Sequence, residues 1–474
     1  MRILHTSDWH LGRNLEQVNR LAEQKEFIDF LCRTVEEEKI DLVLVAGDIY
    51  DTYNPSAQAE QLFYQAIEGL NGGGRRAVVV IAGNHDNPDR LCAASPLSYK
   101  DGIILLGYPG SNPAAYTEDV KDKTGKRADT DQGANGSDDA NAESIRIMEG
   151  GPGWMELSIP GCSHNAVILT MPYPSESRLE ELLSADADEG MLQKAYSEKI
   201  GSVFSSLSRH FRNDTVNLIV AHIFLLGGKE SDSERTLQVG GALTVDPTKL
   251  PENAHYAALG HLHRPQEIKG SACPAFYSGS PLAYSFSEAE HSKAVYIIEA
   301  IPGEKAVITP VYLNCGKPLR RWVAENGYGQ ALQWCEEGRD KNAWVDLEIV
   351  TDRVLTMEEQ KNLRSLHPGI IYIRPRIIGE AADALSPESR EGKKIDELFK
   401  DYYRYRTGTD ISEELMNAFL EIVNNQEDDG AEDADIDGKD TDDDADGAES
   451  ANADDPDRTA DGNGGMEGSG DHET

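Results

Sequence analysis

The chain has 474 residues, of which 39% are hydrophobic and 27% are charged, a composition typical of a globular protein with more than one core. Its 84 acidic and 45 basic residues give a net charge of −39, which argues against a broad electrostatic attraction to nucleic acid. The apolar runs fall short of the ~18 residues of a membrane helix, and the first residues turn polar too soon for a signal peptide, so we expect neither a membrane span nor a Sec-secreted or fibrous product.

The first hundred residues alternate between strand and helix patterns. The runs that predict strands are Arg2–His5, Asp41–Ala46, Ala77–Ala82 and Ile103–Leu106, and the stretches that predict helices are Leu21–Glu38 and Ser56–Leu70. Continuous β-branched runs such as DLVLVA and AVVVIA indicate strands that are covered on both faces. Strands that alternate with helices predict a layered α/β fold.

A polar segment then interrupts this pattern. Ser111 to about Gly151 contains almost no large apolar residues, so we expect a flexible insertion there. Regular patterns resume with strands at Ala166–Met171, Val216–Ala221, Tyr256–Leu259 and Ala294–Glu299 and a helix around Met191–Phe211.

The last third of the chain changes character twice. Arg320–Ile377 predicts a small α/β unit, and Ser386–Val423 predicts two amphipathic helices. Residues 426–474 hold 20 acidic and two basic residues, a net charge of −18, and we expect this tail to be disordered. The predicted domains are a main domain at residues 1–315, a small α/β domain at 316–380, C-terminal helices at 386–424 and an acidic tail at 425–474.

The cysteines carry no sign of a disulfide scaffold. The six of them are Cys32, Cys92, Cys162, Cys273, Cys315 and Cys335. They lie far apart and form no CxxC pair, so we expect reduced, packed thiols in a cytoplasmic protein.

Five short blocks carry the residues from which a catalytic site can be built. They are Ser7-Asp8-Trp9-His10, Gly47-Asp48, Gly83-Asn84-His85-Asp86, Ala221-His222 and Gly260-His261-Leu262-His263. Each lies at or just past the end of a predicted strand, and ligand-binding residues of an open α/β sheet gather outside the carboxyl ends of its strands. We therefore expect the five blocks to meet at one edge of the fold.

Taken singly, most of these blocks are weak signals. Gly47-Asp48 also occurs as an ordinary turn, and a lone histidine such as His222 is more often packed or at the surface, whereas Gly-Asn-His-Asp after a buried strand is specific. Together the blocks supply three carboxylates, one carboxamide and up to five imidazoles. That is enough for two metal ions that clamp the oxygens of a phosphoryl displacement, and mixed nitrogen and oxygen ligands favour Mn²⁺, Fe²⁺ or Zn²⁺ over Mg²⁺ or Ca²⁺.

The five blocks resemble the signature of the calcineurin-like metallophosphoesterases. The surrounding residues, His5 to Arg13, Ala46 to Asp51 and Ala82 to Leu97, are similar to the SbcD family of bacterial nuclease subunits, as are Tyr277 to Pro281 with Ser285-Phe286. The resemblance covers about residues 1–110 and 161–423. It implies a four-layer α/β/β/α metallophosphoesterase sandwich with a small α/β capping domain, a C-terminal helical hairpin and, outside the resemblance, the disordered acidic tail.

The resemblance also implies roles for the site residues. The implied ligands of two divalent ions, with Mn²⁺ the expected metal, are Asp8, His10 and His263 for one, Asn84, His222 and His261 for the other, and Asp48 as a bridge between them. His85 would be the catalytic histidine, with Asp86 orienting it and raising its pKa. Asp51 stands near the place where archaeal and eukaryotic relatives carry a second catalytic histidine, so we give it no such role.

Two arginines follow the first and third blocks. Arg13 and Arg90 are candidates for contacts with DNA phosphates, since a guanidinium matches a phosphate bidentately. A surface or ion-paired arginine is an equally good interpretation of each.

The implied activity is hydrolysis of DNA phosphodiesters in repair, recombination and replication. The family acts as a 3′-to-5′ exonuclease on double strands and as an endonuclease on single strands and hairpins. The implied partners are an SbcC-type coiled-coil ATPase, DNA ends and hairpins, and a second copy of the chain in a heterotetramer. We expect the helices at residues 386–424 to dock on the ATPase, because aromatic residues are enriched in interface cores; a hairpin packed on its own domain is the alternative.

Two other functions fit parts of the sequence. A phosphatase or cyclic-nucleotide phosphodiesterase would use the same metal site, although such an enzyme needs neither a capping unit nor C-terminal helices. A non-catalytic scaffold that binds DNA ends would keep those additions, although it needs neither seven metal ligands nor His85.

Overall fold

The computed structural model describes residues 1–115, 144–175, 189–234, 243–378, 395–407, 411–412 and 415–420. The described residues up to 378 belong to one compact unit, and most of those from Ile395 onward belong to a second. In the described ranges, no helix has the length and apolar character needed to cross a membrane.

The helices predicted at Leu21–Glu38, at Ser56–Leu70 and around Met191–Phe211 begin and end close to those positions, and the structure adds helices that the sequence pattern did not predict. The bounds of the described helices are Leu21–Glu37, Ala57–Asn71, Pro88–Cys92, Ser95–Ser98, Glu189–Leu207, Tyr328–Glu336, Met357–Leu366 and Ile395–Thr407. Local contacts explain both ends of Ala57–Asn71. Ser56 accepts a hydrogen bond from the Ala59 N–H at its start, and Gly72 ends the helix at a φ of 64°.

The first sheet is built around the N-terminal strand. Its strands lie in the order Val307–Tyr312, Ala294–Glu299, Arg2–Thr6, Leu42–Ala46, Ala77–Ile81 and Ile103–Leu106. The four strands from the first part of the chain are parallel, and Ala294–Glu299 pairs antiparallel with Arg2–Thr6. The residues that follow Thr6, Ala46 and Ile81 therefore emerge at one edge of the sheet.

The second sheet repeats this arrangement with the middle of the chain. Its strands lie in the order Gln266–Glu267, Ala275–Tyr277, Tyr256–Gly260, Val216–His222, Ala166–Met171, Trp154–Ser158 and Arg146–Gly151. The central pairs are parallel, so His222 and the residues after Gly260 also emerge at a common edge. Two-residue ladders pair Asn14–Leu15 with Val18–Asn19, and Phe224–Leu225 with Thr244–Val245.

The two sheets pack face to face between helices. Successive side chains of a strand point to opposite faces, so Leu44 faces inward onto Ile168 and Leu218 of the second sheet, in a core that lies between the sheets. The outer face of the first sheet packs on Leu21–Glu37 and Ala57–Asn71, and that of the second on Glu189–Leu207. This confirms the four-layer α/β/β/α sandwich.

A smaller sheet follows the sandwich. Leu319–Ala324, Trp344–Thr351 and Ile370–Ile377 pair in parallel, and the connecting helices Tyr328–Glu336 and Met357–Leu366 cover one face. Thr356 and Glu359 form a capping box at the start of the second connecting helix. The sequence pattern of Arg320–Ile377 predicted an α/β unit here, and the structure shows its order as β-α-β-α-β.

The prediction of a flexible insertion between residues 111 and 151 is wrong for its last residues. Arg146–Gly151 forms the edge strand of the second sheet and pairs antiparallel with Trp154–Ser158. Its sequence RIMEGG lacks an apolar run because an edge strand has only one neighbour and leaves most side chains exposed. Residues 116–143 of the expected insertion lie outside the described residues.

The described residues of the second unit include two helical segments. The ring of Phe399, in Ile395–Thr407, stacks on that of Phe419, in the helical residues 415–420, with centroids 3.6 Å apart and planes inclined by 12°. This aromatic contact agrees with the predicted helical hairpin. The predicted acidic tail, residues 425–474, lies outside the described residues.

A buried glutamate joins the first helix to the small sheet. The Glu23 carboxylate accepts both Nε–H and Nη2–H of Arg20, each at 2.8 Å. It also accepts Nε1–H of Trp344 at 3.0 Å and the backbone N–H of Lys317 at 2.7 Å. Arg20 is only 1% exposed, so its charge depends on Glu23 for compensation.

We expect Glu23→Ala to destabilise the first compact unit by ~3–5 kcal/mol, because it leaves the Arg20 guanidinium buried without its anion. Urea unfolding followed by circular dichroism measures the change as a lower midpoint. The control is Lys25→Ala on the same helix, which removes only an exposed ion pair with Asp29 and costs ~0.5 kcal/mol or less. Equal midpoints for the two variants would contradict the role of Glu23.

Candidate metal centre

The edges of both sheets meet where the five blocks lie. The first sheet brings Asp8, His10, Asp48 and His85 to this edge, and the second brings the remaining histidines. Asp8, His10 and Asp48 have φ values of 51°, 46° and 51°, in the left-handed region that non-glycine residues seldom adopt. The Asp8 N–H donates to the Gly47 carbonyl at 2.9 Å and the His10 N–H donates to the Asp48 carbonyl at 3.0 Å, so neighbouring loops hold this strained backbone.

Glycines at two positions let the loops approach closely. A Cβ atom on Gly83 would collide with the backbone and carboxylate of Asp48, and one on Gly260 would collide with the carbonyl of Ala46. The glycine that precedes Asn84 and the one that precedes His261 are therefore required by packing.

One group of candidate ligands consists of Asp8, His10 and His263. Their ligand atoms lie within 4.8 Å of one another, and all three side chains are buried. The Nε2 atoms of His10 and His263 are 2.9 Å apart. Ser7 Oγ donates to Asp8 Oδ2 at 2.5 Å and the His261 N–H donates to Asp8 Oδ1 at 2.9 Å, which fixes the carboxylate.

The other group is centred on Asn84. Its Oδ1 atom lies 2.9 Å from Nε2 of His222 and 3.0 Å from Nδ1 of His261. Asp48 lies between the two groups, since its Oδ2 atom is 3.6 Å from Nε2 of His222 and 3.7 Å from Nε2 of His10. The structure therefore brings the seven predicted ligands together.

The hydrogen bonds of His222 test whether these residues fit a cation. Its Nδ1 atom lies 2.8 Å from the carbonyl oxygen of Ala46, which can only accept, so Nδ1 carries the ring proton of the neutral imidazole. Its Nε2 lone pair then faces the Asn84 oxygen at 2.9 Å. Two acceptors at this distance repel each other unless a cation lies between them, so the donor set fits a divalent metal ion.

Burial favours the neutral form of His10 and His261 and disfavours the ionised form of Asp8. Burial, followed by the neighbouring imidazoles, lowers the pKa of His261 to about 3. Burial and then the Asp48 carboxylate raise the pKa of Asp8 well above its usual value. Burial alone would raise the pKa of Asp48 as well, but His222 and His85 outweigh it and hold that pKa below its usual value.

His85 is oriented by Asp51 and not, as expected, by Asp86. The Nδ1–H of His85 donates to the Asp51 carbonyl at 2.7 Å, and its Nε2 lies 4.0 Å from Asp48 Oδ2. Asp86 accepts the backbone N–H groups of Gly83, Ile49 and Tyr50 at 2.8, 3.1 and 2.9 Å. It therefore holds the two loops that carry Asp48 and His85, and burial, reinforced by Asp48, raises its pKa to about 6.

The two candidate arginines have different surroundings. Arg13 lies beside the candidate ligands: its Nη2 donates to the Ser233 carbonyl at 2.6 Å and its Nε is 3.6 Å from Asp51 Oδ1. Its Nη1 is buried without a hydrogen-bond partner among the described residues. Arg90 forms a two-pronged ion pair with Glu60, at 2.7 and 3.1 Å, so its surroundings favour the ion-paired interpretation.

Sequence reasoning missed the residues that support the ligands from behind. They include Ser233, Glu234, Ser278, Glu288 and Lys293. Burial alone would raise the pKa of Glu288, but Lys293 and then His263 outweigh it and hold the pKa far below its usual value. Only Ser278 lies in one of the motifs that carry the resemblance, Tyr277 to Pro281.

Comparisons with known proteins agree with this fold. The family model described as calcineurin-like phosphoesterase matches residues 1–265, and one described as type 5 capsule protein repressor C-terminal domain matches residues 315–407. A protein of Bacillus subtilis (strain 168), named as the SbcD component of the nuclease SbcCD, is 43% identical over 91% of this chain and 100% of its own length. The protein of the same name from Staphylococcus epidermidis (strain ATCC 12228 / FDA PCI 1200) is 26% identical over 87% of this chain and 95% of its own length.

The first family model shows the class of protein, and the two named relatives show a narrower group within that class. The chain belongs to the calcineurin-like phosphoesterase family and, within it, to the SbcD nuclease subunits.

We expect Mn²⁺ to raise the thermal unfolding midpoint of metal-depleted protein. An ion that binds only the folded state stabilises it by ~2.7 kcal/mol when its concentration is 100 times the Kd. Asp48→Asn, which removes the carboxylate between the two groups, should lose most of this gain. Asp246→Asn, which alters a capping residue at Pro247–Lys249, serves as the control and should keep it. An unchanged wild-type midpoint, or an equal gain in Asp48→Asn, would contradict a metal centre here.

Proposed function

We propose that this chain is the nuclease subunit of an SbcCD-type DNA repair complex and hydrolyses DNA phosphodiesters with the help of two divalent metal ions. The observation that carries the proposal is the pair of buried donor groups on either side of Asp48. In a family of phosphoesterases, two adjacent cation positions are suited to a displacement at phosphorus, since each can stabilise one of the oxygens involved.

We propose the following assignment of ligands. One ion binds Asp8, His10 and His263, the other binds Asn84, His222 and His261, and Asp48 binds both. When bound, such ions supply an activated water molecule and positive charge for the phosphoryl oxygens. Mn²⁺ is our proposal for the ion in both positions, because the donor set mixes imidazole nitrogen with carboxylate and amide oxygen.

His85 is the proposed catalytic residue. Because Nδ1 donates to the Asp51 carbonyl, Nε2 is the atom left to act on a substrate. This Nε2 atom lies 4.0 Å from Asp48 Oδ2, at the edge of the candidate metal centre. In its protonated form, Nε2–H donates a hydrogen bond to the phosphate and passes its proton to the departing 3′ oxygen. Asp86 supports this step by holding the loops of Asp48 and His85 in register.

Arg13 is the proposed contact to a substrate phosphate. Its Nη2 donates to the Ser233 carbonyl, and its guanidinium carbon lies 5.1 Å from the centroid of the Tyr284 ring. Its Nη1, which has no hydrogen-bond partner in the part of the chain that the structure describes, remains for a phosphate oxygen. Arg90 is the weaker candidate, because Glu60 already engages its guanidinium.

The acidity of the chain is compatible with a DNA substrate when cations occupy the site. Two divalent ions supply four positive charges at the place where the phosphate must bind. An SbcC-type ATPase supplies further DNA contacts in our proposal, and the helices at residues 386–424 dock on it. We also propose residues 1–315 as the nuclease domain, 316–380 as the cap over the DNA, a homodimer within a heterotetramer, and a cytoplasmic location.

We expect His85→Ala to lower the rate of DNA cleavage ~10²–10⁴-fold while leaving DNA binding intact, because the substitution removes proton transfer and no metal ligand. Purified protein, Mn²⁺ and an end-labelled hairpin measure the rate, and gel-shift titration measures the binding. The control is His164→Ala. His164 lies in the turn before Ala166–Met171, at the end of that strand away from the candidate metal centre, and this variant should cleave DNA normally. Full cleavage by His85→Ala would remove His85 from the chemistry, and a wild-type protein that binds DNA without cleaving it would favour the scaffold.

A further inference from the structure

A row of buried side chains stands behind His263. His263 Nδ1 contacts Ser233 Oγ, Ser233 Oγ contacts Glu288 Oε1, and Glu288 Oε2 contacts Lys293 Nζ. Ser233, Glu288 and Lys293 are 5%, 1% and 7% exposed, so this row is shielded from water. A buried polar row of this length has a cost unless every member is satisfied.

The contacts fix the direction of every proton in the row. Lys293 can only donate, and the Glu288 carboxylate that it pairs with can only accept. Ser233 therefore donates its hydroxyl proton to Glu288. Ser231, whose Oγ is 3.0 Å from Ser233 Oγ, donates its own proton to Glu234 at 2.8 Å and does not compete.

His263 must then donate to Ser233. The Ser233 oxygen has lone pairs to offer and no further proton, so Nδ1 of His263 carries the hydrogen. The lone pair of His263 is left on Nε2, the atom that lies 2.9 Å from His10 Nε2 in the candidate metal centre. The row thus selects the tautomer that can bind a metal ion through Nε2.

The backbone of His263 is held by the same surroundings. Its N–H donates to Glu234 Oε1 at 2.7 Å, and its carbonyl accepts from Lys293 Nζ at 2.9 Å. Lys293 also donates to Ser280 Oγ at 2.8 Å, which anchors the ammonium. By contrast, His222 is oriented by a neutral carbonyl, that of Ala46. A carboxylate that is hydrogen-bonded to an imidazole, here through the Ser233 hydroxyl, increases the basicity of the ring nitrogen that binds the metal.

We propose that Ser233, Glu288 and Lys293 form a positioning relay that fixes the tautomer of His263 and strengthens cation binding by Asp8, His10 and His263. The inference rests on the proposed function, since it assumes that this group binds one of two ions. It predicts that the two cation positions respond differently when the relay is broken. The position formed by Asn84, His222 and His261 has its own orienting contacts and should not change.

The test is Mn²⁺ titration of the full-length protein, followed by the electron paramagnetic resonance signal of free Mn²⁺. Wild-type protein should bind two ions. Ser233→Ala should weaken one of them ~10–100-fold and leave the other unchanged, which is the range for loss of an outer contact to a metal ligand. Ser233→Thr keeps the hydroxyl and should restore the affinity. Ser197→Ala, which removes another buried serine hydroxyl outside the centre, is the matched control.

Unfolding of the metal-free variants separates cation binding from general stability. Ser233→Ala removes one hydrogen-bonding group and should cost the metal-free protein ~1 kcal/mol, so the chain stays folded. Glu288→Gln is not the main test variant, because it removes the negative charge that pairs with the buried ammonium of Lys293. A wild-type chain that binds no Mn²⁺ would overturn the proposed function itself. A wild-type chain that binds two ions, with a Ser233→Ala variant that binds both equally well or loses both equally, would overturn only the relay.

Discussion

The buried hydrogen bond from His222 Nδ1 to the Ala46 carbonyl is the contact on which the arrangement of the site depends. It joins the last residue of a strand in the second sheet to the last residue of a strand in the first. It can form because neither Gly47 nor Gly260 has a side chain where the two strands approach. The same bond determines which nitrogen of His222 carries the ring proton. One interaction therefore fixes both the spacing of the sheets and the chemistry of a candidate ligand.

The other contacts of the candidate metal centre depend on the meeting of the two sheet edges. Each sheet alone exposes an incomplete set of donors, and the sets face each other only when the sheets stack with their carboxyl ends on the same side. The left-handed backbone of Asp8, His10 and Asp48 is part of the same constraint, since it turns the chain back over the edge directly after each strand. Burial then lowers the pKa of His10 and His261, so these two imidazoles are neutral and can offer a lone pair to a cation.

The sequence was sufficient for the parts that depend on local patterns. Buried runs such as Leu42–Ala46 can be recognised from composition, and a polar block after such a run marks the edge of a sheet. The contacts of Asp86 were not predicted because two of the N–H groups that it accepts, those of Ile49 and Tyr50, lie 37 and 36 positions away in sequence. The edge strand Arg146–Gly151 was missed because its pairing comes from a neighbour and not from its own residues. Ser233 and Glu288 gave no signal, since their importance comes from contacts across 30 or more positions.

The most direct test compares substrates for the purified protein with Mn²⁺, in the presence and absence of the proposed SbcC-type ATPase. An end-labelled linear duplex, a DNA hairpin and a small phosphodiester would be offered under the same conditions. The account predicts metal-dependent cutting of the duplex and the hairpin. Turnover of the small diester alone, with no DNA cleaved even when the partner is present, would contradict it and leave a general phosphoesterase.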